Sequence, residues 1–298
     1  MILLTGATGT IGGHVLRLLT AGDTPSVPVR AMVRDPSRLT PPPGAHVDVV
    51  RGDFDEPGSL REALEGVTDL FLATVAGPAV AAHDTAAVEA AEAAGVRRVV
   101  KLSAIRVPGV LPRVAEWHAP GERALRESGM AWTLLQPAGF ASNSLQWAGA
   151  VRAGNPVPNT TGTGRQAVID PRDVAEAAVA ALLSPRGSGH EGRSYVLTGP
   201  EPLSVPEQVA RIGRLLGPGR DPGCVDVPPA AAAGAMRGAG MSEEFVGAAL
   251  EGMEMLGDGR GEILGEGVRE ALGRPARPFD TWVRDHLDAF TGSRTGQR

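Results

Sequence analysis

A glycine-rich turn near the amino terminus constrains the fold of this chain more than any other feature. The sequence opens MILLTGATGTIGGHVLRLL, so Gly6, Gly9 and Gly12 stand between an apolar run and an apolar helical pattern. Strand, glycine turn and helix in this order form the context that a dinucleotide-binding fingerprint requires. Gly6 would permit the tight turn, Gly9 would let the backbone approach a pyrophosphate, and Gly12 would let the helix lie close on the strand.

The helix after this turn strengthens the prediction. The start of a helix presents free backbone N–H groups and a partial positive charge, and both suit phosphate. We therefore expect Thr8, Thr10 and Ile11 to supply backbone or hydroxyl donors. A glycine-rich turn that holds no ligand is the alternative, but its position between a strand and a helix favours cofactor binding.

The first half of the chain alternates short apolar runs with helical patterns. This alternation indicates βαβ units and a parallel sheet that is buried on both faces. The predicted fold is therefore α/β, a Rossmann-type doubly wound parallel sheet with a smaller, mainly helical C-terminal substrate-binding region. The predicted strands are MILLTG, VRAMVR, VDVVRGD, DLFLATV, RRVVKLS and AWTLLQP.

The second half of the chain breaks this rhythm. Residues 152–165 are rich in turn-forming residues and predict a loop. Beyond them, Asp170 suits the N-cap of a helix, and Ser204 with Glu207 has the spacing of a capping box. Near the end of the chain, FDTWVRDHLDAF predicts an amphipathic helix.

These patterns divide the 298 residues into two predicted units. We expect an NAD(P)-binding Rossmann domain over residues 1–138, with returning segments at about 166–200. We expect residues 139–165 and 201–298 to form the substrate-binding region.

The composition excludes several classes of partner. The net charge is −5, so neither nucleic acid nor an anionic membrane surface is an expected partner. We see no apolar run long enough to span a bilayer, and the first residues lack the basic region that is typical of a secretory signal. Cys224 is the single cysteine, which excludes an intrachain disulfide and argues against a cysteine metal site. We expect a cytoplasmic protein, monomeric or homodimeric, that binds a small molecule and no metal; abundant Arg, Ala, Gly and Pro suggest a bacterial source.

The end of the second predicted strand bears on the choice of cofactor. An acidic residue there would pair with the ribose 2′-hydroxyl of NADH, whereas an arginine accommodates the 2′-phosphate of NADPH. MVRDPSR places Arg34 directly after the strand and Arg38 one turn on, and a planar guanidinium suits phosphate. NADPH is therefore the expected cofactor, and NADH the less favoured one. Asp35 would serve the ribose if the register differed by one residue.

Later strand ends complete the expected cofactor site. RGDFDEP places Asp53 and Phe54 near the adenine. FLATVAG places three residues at the carboxyl edge of the sheet, beside the cofactor: Ala73, Thr74 and Val75. Pro137 ends the sixth strand, and we expect it and Phe140 at the nicotinamide end.

Seven segments, in order along nearly the whole chain, resemble those of the NmrA-like, atypical short-chain dehydrogenase/reductase family. They are LLTGATGTIGGHV, AMVRDPSR, RGDFDEPGSLREAL, VRRVVKLSA, HAPGERALRESGMAWTLLQPAGFASN, DPRDVAEAAVAAL and YVLTGPEPLSVPEQ. The resemblance implies an NAD(P)-binding Rossmann domain with a smaller substrate region over the cleft. The family contains NAD(P)H-dependent quinone and related reductases, and also redox-sensing regulators that bind the dinucleotide without catalysis.

The chain departs from the catalytic pattern of typical short-chain dehydrogenases. Those enzymes use Tyr-x-x-x-Lys on one helix, where the lysine lowers the pKa of the tyrosine. Here the single tyrosine, Tyr195, and the single lysine, Lys101, are far apart and in the wrong order. Extended members place a glutamate four residues after the lysine. If Glu122 is that glutamate, His118 occupies the lysine position and Val114 the tyrosine position.

His118, Glu122 and Ser103 are therefore the catalytic candidates. His118 could donate a proton, polarise a substrate carbonyl or bind a ribose hydroxyl, and Glu122, one turn on, could orient it. Ser103 ends the fifth strand and could hydrogen-bond the substrate. The alternative is structural: a solvated His118–Glu122 pair on a helix surface, and a buried Ser103 hydroxyl satisfied by the backbone.

The loop QPAGFASNSLQW supplies the substrate-binding candidates. Gly139 and Phe140 are expected where the nicotinamide face opens, and Asn143 could hydrogen-bond a carbonyl. Phe140, Trp117 and Trp147 could form a flat apolar wall for a ring. The alternative is that these aromatic residues fill the core between the two units, and for Trp147 this alternative is favoured.

The sequence favours an NADPH-dependent reductase that transfers hydride to a quinone, an enone or a related aromatic or polyketide-like carbonyl compound. A quinone needs little acid assistance, which would explain why the tyrosine is dispensable. The missing Tyr-x-x-x-Lys pair also motivates the alternative, a non-catalytic NAD(P)-sensing regulator. An accessory enzyme of an aromatic polyketide pathway is a third hypothesis.

Overall fold

The computed structural model describes residues 1–22, 27–106 and 113–292. Its centre is a seven-stranded sheet in the order β3-β2-β1-β4-β5-β6-β9, and every pairing in it is parallel. The strands are β1 (Ile2–Leu4), β2 (Val29–Val33), β3 (Val47–Arg51), β4 (Asp69–Leu72), β5 (Arg98–Leu102), β6 (Ala131–Pro137), β7 (Val157–Asn159), β8 (Arg165–Gln166), β9 (Arg193–Leu197), β10 (Leu203–Ser204) and β11 (Cys224–Asp226).

Helices cover both faces of this sheet, because its strands are apolar on both sides. In β1, Ile2 and Leu4 belong to one core and Leu3 to the other. Helices α1, α6 and α10 cover the first face, and α2, α3 and α4 cover the second. The helices are α1 (Thr10–Thr20), α2 (Pro57–Leu64), α3 (Val80–Ala93), α4 (Arg113–Glu127), α5 (Ala148–Ala153), α6 (Pro171–Leu183), α7 (Val205–Leu216), α8 (Pro229–Gly238), α9 (Glu243–Gly257), α10 (Gly267–Leu272), α11 (Phe279–Asp285) and α12 (Leu287–Thr291).

The predicted fold class is confirmed by this arrangement. Strand order reverses at β1, which pairs with β2 on one side and β4 on the other. Such a reversal opens a crevice at the carboxyl ends of the two strands, where ligands bind in open α/β sheets. The glycine turn lies at this crevice because it follows β1 directly.

A third apolar core lies outside the sheet. It brings together α5, α7, α11 and α12, and its largest buried side chains include Trp282, Phe279 and Phe290. Two small sheets accompany it: β10 pairs with β8, and β11 pairs with β7. The division into two domains at the bounds given above remains a prediction, and residues 23–26, 107–112 and 293–298 of those domains lie outside the described residues.

The helix caps at Asp170 and Ser204 were predicted correctly from the sequence, whereas two other expectations were wrong in detail. Asp170 caps α6 by accepting from the backbone N–H of Arg172, and Ser204 forms the predicted capping box with Glu207. The expected single helix near the end is instead α11 and α12, because His286 adopts a non-helical backbone between them. The expected loop 152–165 contains the strand β7 and the start of β8.

No helix among the described residues is both long and apolar enough to cross a bilayer.

The capping box at α7 predicts a pH-dependent loss of stability. The Arg165 guanidinium and the Ser204 N–H lower the pKa of Glu207 to about 2. Glu207→Gln keeps an acceptor but removes the charge, so it should destabilise the protein by less than about 1 kcal/mol near neutral pH, since the pair is partly exposed. Because the folded pKa is depressed, this stabilisation exists above the unfolded value and is lost as the pH falls toward 2. Urea unfolding of both proteins from pH 7 downward measures it.

Glu244→Gln is the matched control. Glu244 also lies in the first turn of a helix, α9, but it has no ion-pair partner among the described residues. Its substitution should leave the pH dependence unchanged. A Glu207→Gln effect of equal size at every pH would contradict the electrostatic explanation.

Candidate functional site

A cavity of about 420 Å³ lies at the crevice where the strand order reverses. It extends from the glycine turn after β1 across the ends of β2, β4 and β5 to the segment after β6. Its walls are made by Gly6, Thr8, Gly9, Thr10, Ile11, Gly12, Met32, Val33, Arg34, Gly52, Phe54, Ala73, Thr74, Val75, Ala76, Leu102, Phe140, Ser142 and Asn143. Twelve of these are among the predicted cofactor residues, which the tertiary structure brings to one cavity from five separate segments.

The glycine turn has a geometry that larger residues would prevent. Gly6 has φ = +65°, in the left-handed region that glycine adopts without strain. A Cβ on Gly12 would lie 2.6 Å from the carbonyl carbon of Gly6, which is backbone and cannot move aside. The start of α1 therefore lies directly against the residues that follow β1. Gly6 is needed for its backbone conformation, and Gly12 is needed because no side chain fits there.

The first amides of α1 are available to a ligand. The N-cap residue of this helix is Gly9, which has no side chain to accept from them, and the first turn contains no acidic residue. Among the described residues, the backbone N–H groups of Thr10, Ile11 and Gly12 have no hydrogen-bond acceptor. A helix start with unpartnered N–H groups facing a cavity fits a pyrophosphate.

The end of β2 is followed by an arginine that lines the cavity and an aspartate that is engaged elsewhere. Arg34 lines the cavity, and its guanidinium has no hydrogen-bond partner among the described residues. Asp35 instead accepts from the backbone N–H of Ser37 at 3.0 Å and from its hydroxyl at 2.7 Å, and these bonds lower the pKa of the Asp35 carboxyl. The Asp35 carboxylate thus caps a short 3₁₀ helix, and the charged group from this segment that lines the cavity is the Arg34 guanidinium.

Three of the predicted cofactor residues do not reach the cavity wall. Arg38 lies at the end of the 3₁₀ helix and is exposed. Asp53 accepts from the backbone N–H of Asp55, so its carboxylate stabilises the local turn. Pro137 is buried in β6, where its carbonyl accepts from the N–H of Ile105. Met32 and Gly52, which were not predicted, form part of the wall beside Phe54.

The far end of the cavity is formed mainly by apolar groups. Phe140, Leu102 and Val75 contribute apolar wall, and Val75 is 75% exposed at the rim. Asn143 and Ser142 contribute the polar side chains at this end.

Two predicted substrate residues lie away from this wall. Gly139 is not part of the cavity wall and lies beside the amide end of the Gln166 side chain. Trp117 is buried between Val80 and Ala248 and stacks on Phe245. The expectation that Trp117 forms a ring-binding wall is therefore corrected. Its indole packs against Phe245 and Ala248 of α9 and is not part of the cavity wall.

A buried ionic cluster lies behind the cavity wall. Lys101 Nζ lies 2.6 Å from Asp84 Oδ2, and both side chains are fully buried. His118 Nδ1 lies 2.9 Å from Lys101 Nζ and 3.3 Å from Asp84 Oδ2. Thr74, a residue of the wall, donates its hydroxyl to Asp84 Oδ1 at 3.0 Å. We name Asp84, Lys101 and His118 the buried triad.

The environment of the triad perturbs all three of its ionisable groups. Burial raises the pKa of the Asp84 carboxyl, but the contact with His118 and the charge of Lys101 outweigh burial, so the pKa is lowered. Burial lowers the pKa of Lys101 against the attraction of Asp84. Burial also lowers the pKa of His118, and the Lys101 charge adds to this. His118 is thus favoured as a neutral imidazole.

A second cluster surrounds Glu122. Its carboxylate accepts from the hydroxyl of Ser103, and from Arg106 at 2.7 Å and Gln136 at 3.4 Å. Burial raises the pKa of Glu122, but these bonds outweigh it and the pKa is lowered. The expectation that Glu122 orients His118 is corrected. Glu122 accepts from Ser103, whereas His118 contacts Lys101 and Asp84. Both are buried, so the alternative of a solvated surface pair is also excluded.

Sequence reasoning missed Asp84 and Lys101. Each gave a signal: Lys101 is a charged residue inside the apolar strand RRVVKLS, and Asp84 interrupts an alanine-rich helix. A buried charge requires a partner. The sequence does not show that Lys101 and Asp84 are partners, because Lys101 lies on β5 and Asp84 on α3. Tyr195 lies on β9 and shares a hydrogen bond of 2.9 Å with His190, apart from Lys101 on β5.

No group of three or more His, Cys, Asp or Glu side chains within the described ranges could hold a metal ion.

The doubly wound sheet, the glycine turn and the cavity at the strand reversal define a Rossmann-type dinucleotide-binding protein. Residues 6–185 match the family described as NAD(P)H-binding. The chain is 40% identical over 293 residues to (4-alkanoyl-5-oxo-2,5-dihydrofuran-3-yl)methyl phosphate reductase from Streptomyces griseus subsp. griseus, a match that covers 97% of this chain and 99% of the relative. The chain therefore belongs to the NAD(P)H-binding family and, within it, to the atypical short-chain dehydrogenase/reductase, NmrA-like group.

Two further similarities extend this result. The chain is 35% identical over 291 residues to NAD(P)H azoreductase from Xenophilus azovorans, covering 97% of this chain and 99% of the relative. The structure of the NADPH-dependent quinone oxidoreductase from Escherichia coli complexed with NADPH matches with a TM-score of 0.82 and 25% identity, over 96% of this chain and 99% of that one. These relatives are NAD(P)H-dependent reductases, which supports assignment of the chain as an oxidoreductase.

The contact between Gly12 and Gly6 predicts the effect of a single methyl group. Gly12→Ala should destabilise the protein by about 1–3 kcal/mol, because the new Cβ overlaps backbone, and should weaken NAD(P)H binding at least about tenfold. Thermal unfolding and calorimetric titration measure the two effects.

Gly13→Ala is the matched control, since a Cβ there would lie at ordinary contact distance, 3.4 Å from the Ala7 carbonyl oxygen. This variant should be neutral or stabilised by up to about 1 kcal/mol through helix propensity. Equal behaviour of the two variants would disprove the packing argument.

Proposed function

We propose that this protein is an NADPH-dependent reductase that transfers hydride to a planar conjugated carbonyl compound, such as a quinone or an enone. The observation that carries the proposal is the continuity of one cavity. It presents phosphate-binding groups at the glycine turn and Arg34, and an apolar end with an amide at Asn143. When bound, NADPH supplies the hydride from C4 of its nicotinamide.

The fit to the cofactor is supported by three groups in the protein. The start of α1 offers unpartnered amides to the pyrophosphate, and Gly12 leaves no side chain in the way. Arg34 offers a planar cation to a 2′-phosphate, while the bonds from Ser37 engage the carboxylate of Asp35, the residue that would favour NADH. NADPH is thus the preferred cofactor of this proposal.

The substrate class follows from chemistry that the relatives' names have in common. A quinone, an azo compound and an alkanoyl-oxo-dihydrofuran all contain a conjugated, electron-poor π system. The end of the cavity near Phe140, Leu102 and Val75 suits the flat face of such a molecule. We therefore propose that Phe140 and Asn143 bind the substrate, the ring by contact and the carbonyl by a hydrogen bond.

The protein's own part in the reaction is mainly positioning. Apolar walls exclude water from the reacting face, and binding in one cleft brings donor and acceptor together. His118 and Ser103 lie behind the cavity wall and remain the candidate polar groups on the substrate side; the Ser103 hydroxyl donates to Glu122, so His118 is the candidate hydrogen-bond donor. A quinone becomes aromatic on reduction, so a weak hydrogen-bond donor suffices where typical short-chain dehydrogenases use a tyrosine.

The role of Arg34 predicts a change in cofactor preference. Arg34→Gln should raise the Kd for NADPH by about 10- to 100-fold, the equivalent of a charge-assisted hydrogen bond to phosphate. The Kd for NADH should change by less than about threefold. Arg61→Gln, which removes an exposed cation from α2, is the control and should change neither. A parallel loss for both cofactors would count against recognition of the 2′-phosphate by Arg34.

Turnover tests the proposal directly. Purified protein should oxidise NADPH in the presence of at least one member of a panel of quinones, azo compounds and alkanoyl-oxo-dihydrofurans. Oxidation is followed by the loss of absorbance of the reduced nicotinamide. Tight NADPH binding without turnover on any of the panel would overturn the reductase proposal in favour of a regulator that senses the dinucleotide.

A further inference from the structure

We propose that Lys101 and Asp84 are positioning residues that hold His118 as a neutral imidazole with its proton on Nε2. The inference rests on the proposed function in one respect, the assignment of His118 to the substrate side. It goes beyond that assignment because it states which nitrogen carries the proton and which groups decide this.

The first step is the hydrogen-bond count at Lys101. An ammonium group has three N–H donors and no acceptor. Lys101 Nζ has three neighbouring acceptors: Asp84 Oδ2 at 2.6 Å, His118 Nδ1 at 2.9 Å and the carbonyl of Leu102 at 3.0 Å. All three donors are thus used, and Nδ1 of His118 must be the acceptor in its bond to Lys101.

The second step excludes the competing arrangement. His118 Nδ1 could instead donate to Asp84 Oδ2, but that distance is 3.3 Å, longer than the 2.9 Å to Lys101. A proton on Nδ1 would also point a donor at a donor, because Lys101 Nζ cannot accept when protonated. Asp84 is satisfied without it, since Lys101 occupies Oδ2 and the Thr74 hydroxyl occupies Oδ1.

The third step concerns the charges that face the imidazole. They are Asp84 from α3, Lys101 from β5 and Glu122 from α4 itself. Lys101 and Asp84 form a neutral pair, and the carboxylate of Glu122 is engaged by Ser103 and Arg106. A second positive charge on His118 next to the Lys101 ammonium is therefore unfavourable in this buried setting.

The fourth step is the state of the other ring nitrogen. Nε2 of His118 has no acceptor among the described residues. With Nδ1 accepting from Lys101, the triad leaves the proton of the neutral ring on Nε2, where it is a neutral hydrogen-bond donor and not a strong acid.

The triad is also linked to the cavity wall. Thr74 and Leu102 both line the cavity, and each hydrogen-bonds a member of the triad. The position of the imidazole is therefore fixed relative to the wall through α3 and β5 together.

Nitrogen-15 NMR of histidine-labelled protein tests the proposal without any need for turnover. The His118 signals are identified by their loss in His118→Gln. From about pH 6 to 8, where an ordinary histidine titrates, we expect His118 to remain neutral with Nε2 protonated and Nδ1 bare. Protonation of Nδ1, or an imidazolium at pH 7, would overturn the proposal.

Lys101→Met tests the cause. Without the ammonium, Asp84 loses its cation, so we expect Nδ1 to acquire a proton and the titration of His118 to move to higher pH. Thr74→Val is the matched control: it removes a bond to Asp84 but leaves the Lys101 contact, and the Nε2–H form should persist. An unchanged His118 spectrum in Lys101→Met would refute the role of Lys101; if that variant does not fold, the wild-type spectrum alone decides the tautomer.

The two proposals fail separately. A protein that shows the Nε2–H form and no NADPH turnover would retain this inference and lose the reductase function. A protein that turns over NADPH with Nδ1 protonated would retain the function and lose the inference.

Discussion

The contact between the start of α1 and the carbonyl group of Gly6 is the constraint on which the rest of the site depends. It exists because Gly12 has no Cβ. The same contact places the first amides of α1, which have no acceptor among the described residues, at the crevice between β1 and β4, where the strand order reverses. Arg34, which follows β2, lines the same cavity, so a cation and a helix start lie at the crevice where open α/β sheets bind ligands.

Polar groups beneath this wall are organised in two separate clusters. Lys101, Asp84 and His118 form one, and Glu122, Ser103 and Arg106 form the other. Burying an ion pair gives little net stability, because the cost of desolvation offsets the attraction. A structural core would tolerate apolar residues here, so the retention of charge next to a cavity is consistent with a role in positioning side chains for chemistry.

Much of the fold could be predicted because its signals are local. A glycine turn, alternating apolar runs and the caps at Asp170 and Ser204 depend on neighbours within a few residues. His286 shows the limit of such local signals: the amphipathic pattern continues through it, but its backbone is not helical, and its Nδ1 hydrogen-bonds the carbonyl of Trp282. The burial of Trp117 was also not readable from local sequence, because Trp117 packs against α9, a helix more than a hundred residues away.

The sequence by itself determined the class of fold, and it placed the glycine turn and Arg34 at one edge of the sheet, because each follows a strand whose end must lie there. Only the tertiary structure decided the partners of His118 and Glu122. Their spacing on one helix suggested that they bind each other, yet α3 and β5 bring Asp84 and Lys101 to the histidine, and the end of β5 brings Ser103 to the glutamate. A buried charge pairs with whatever group lies nearest in space, and that distance is set by how the layers pack.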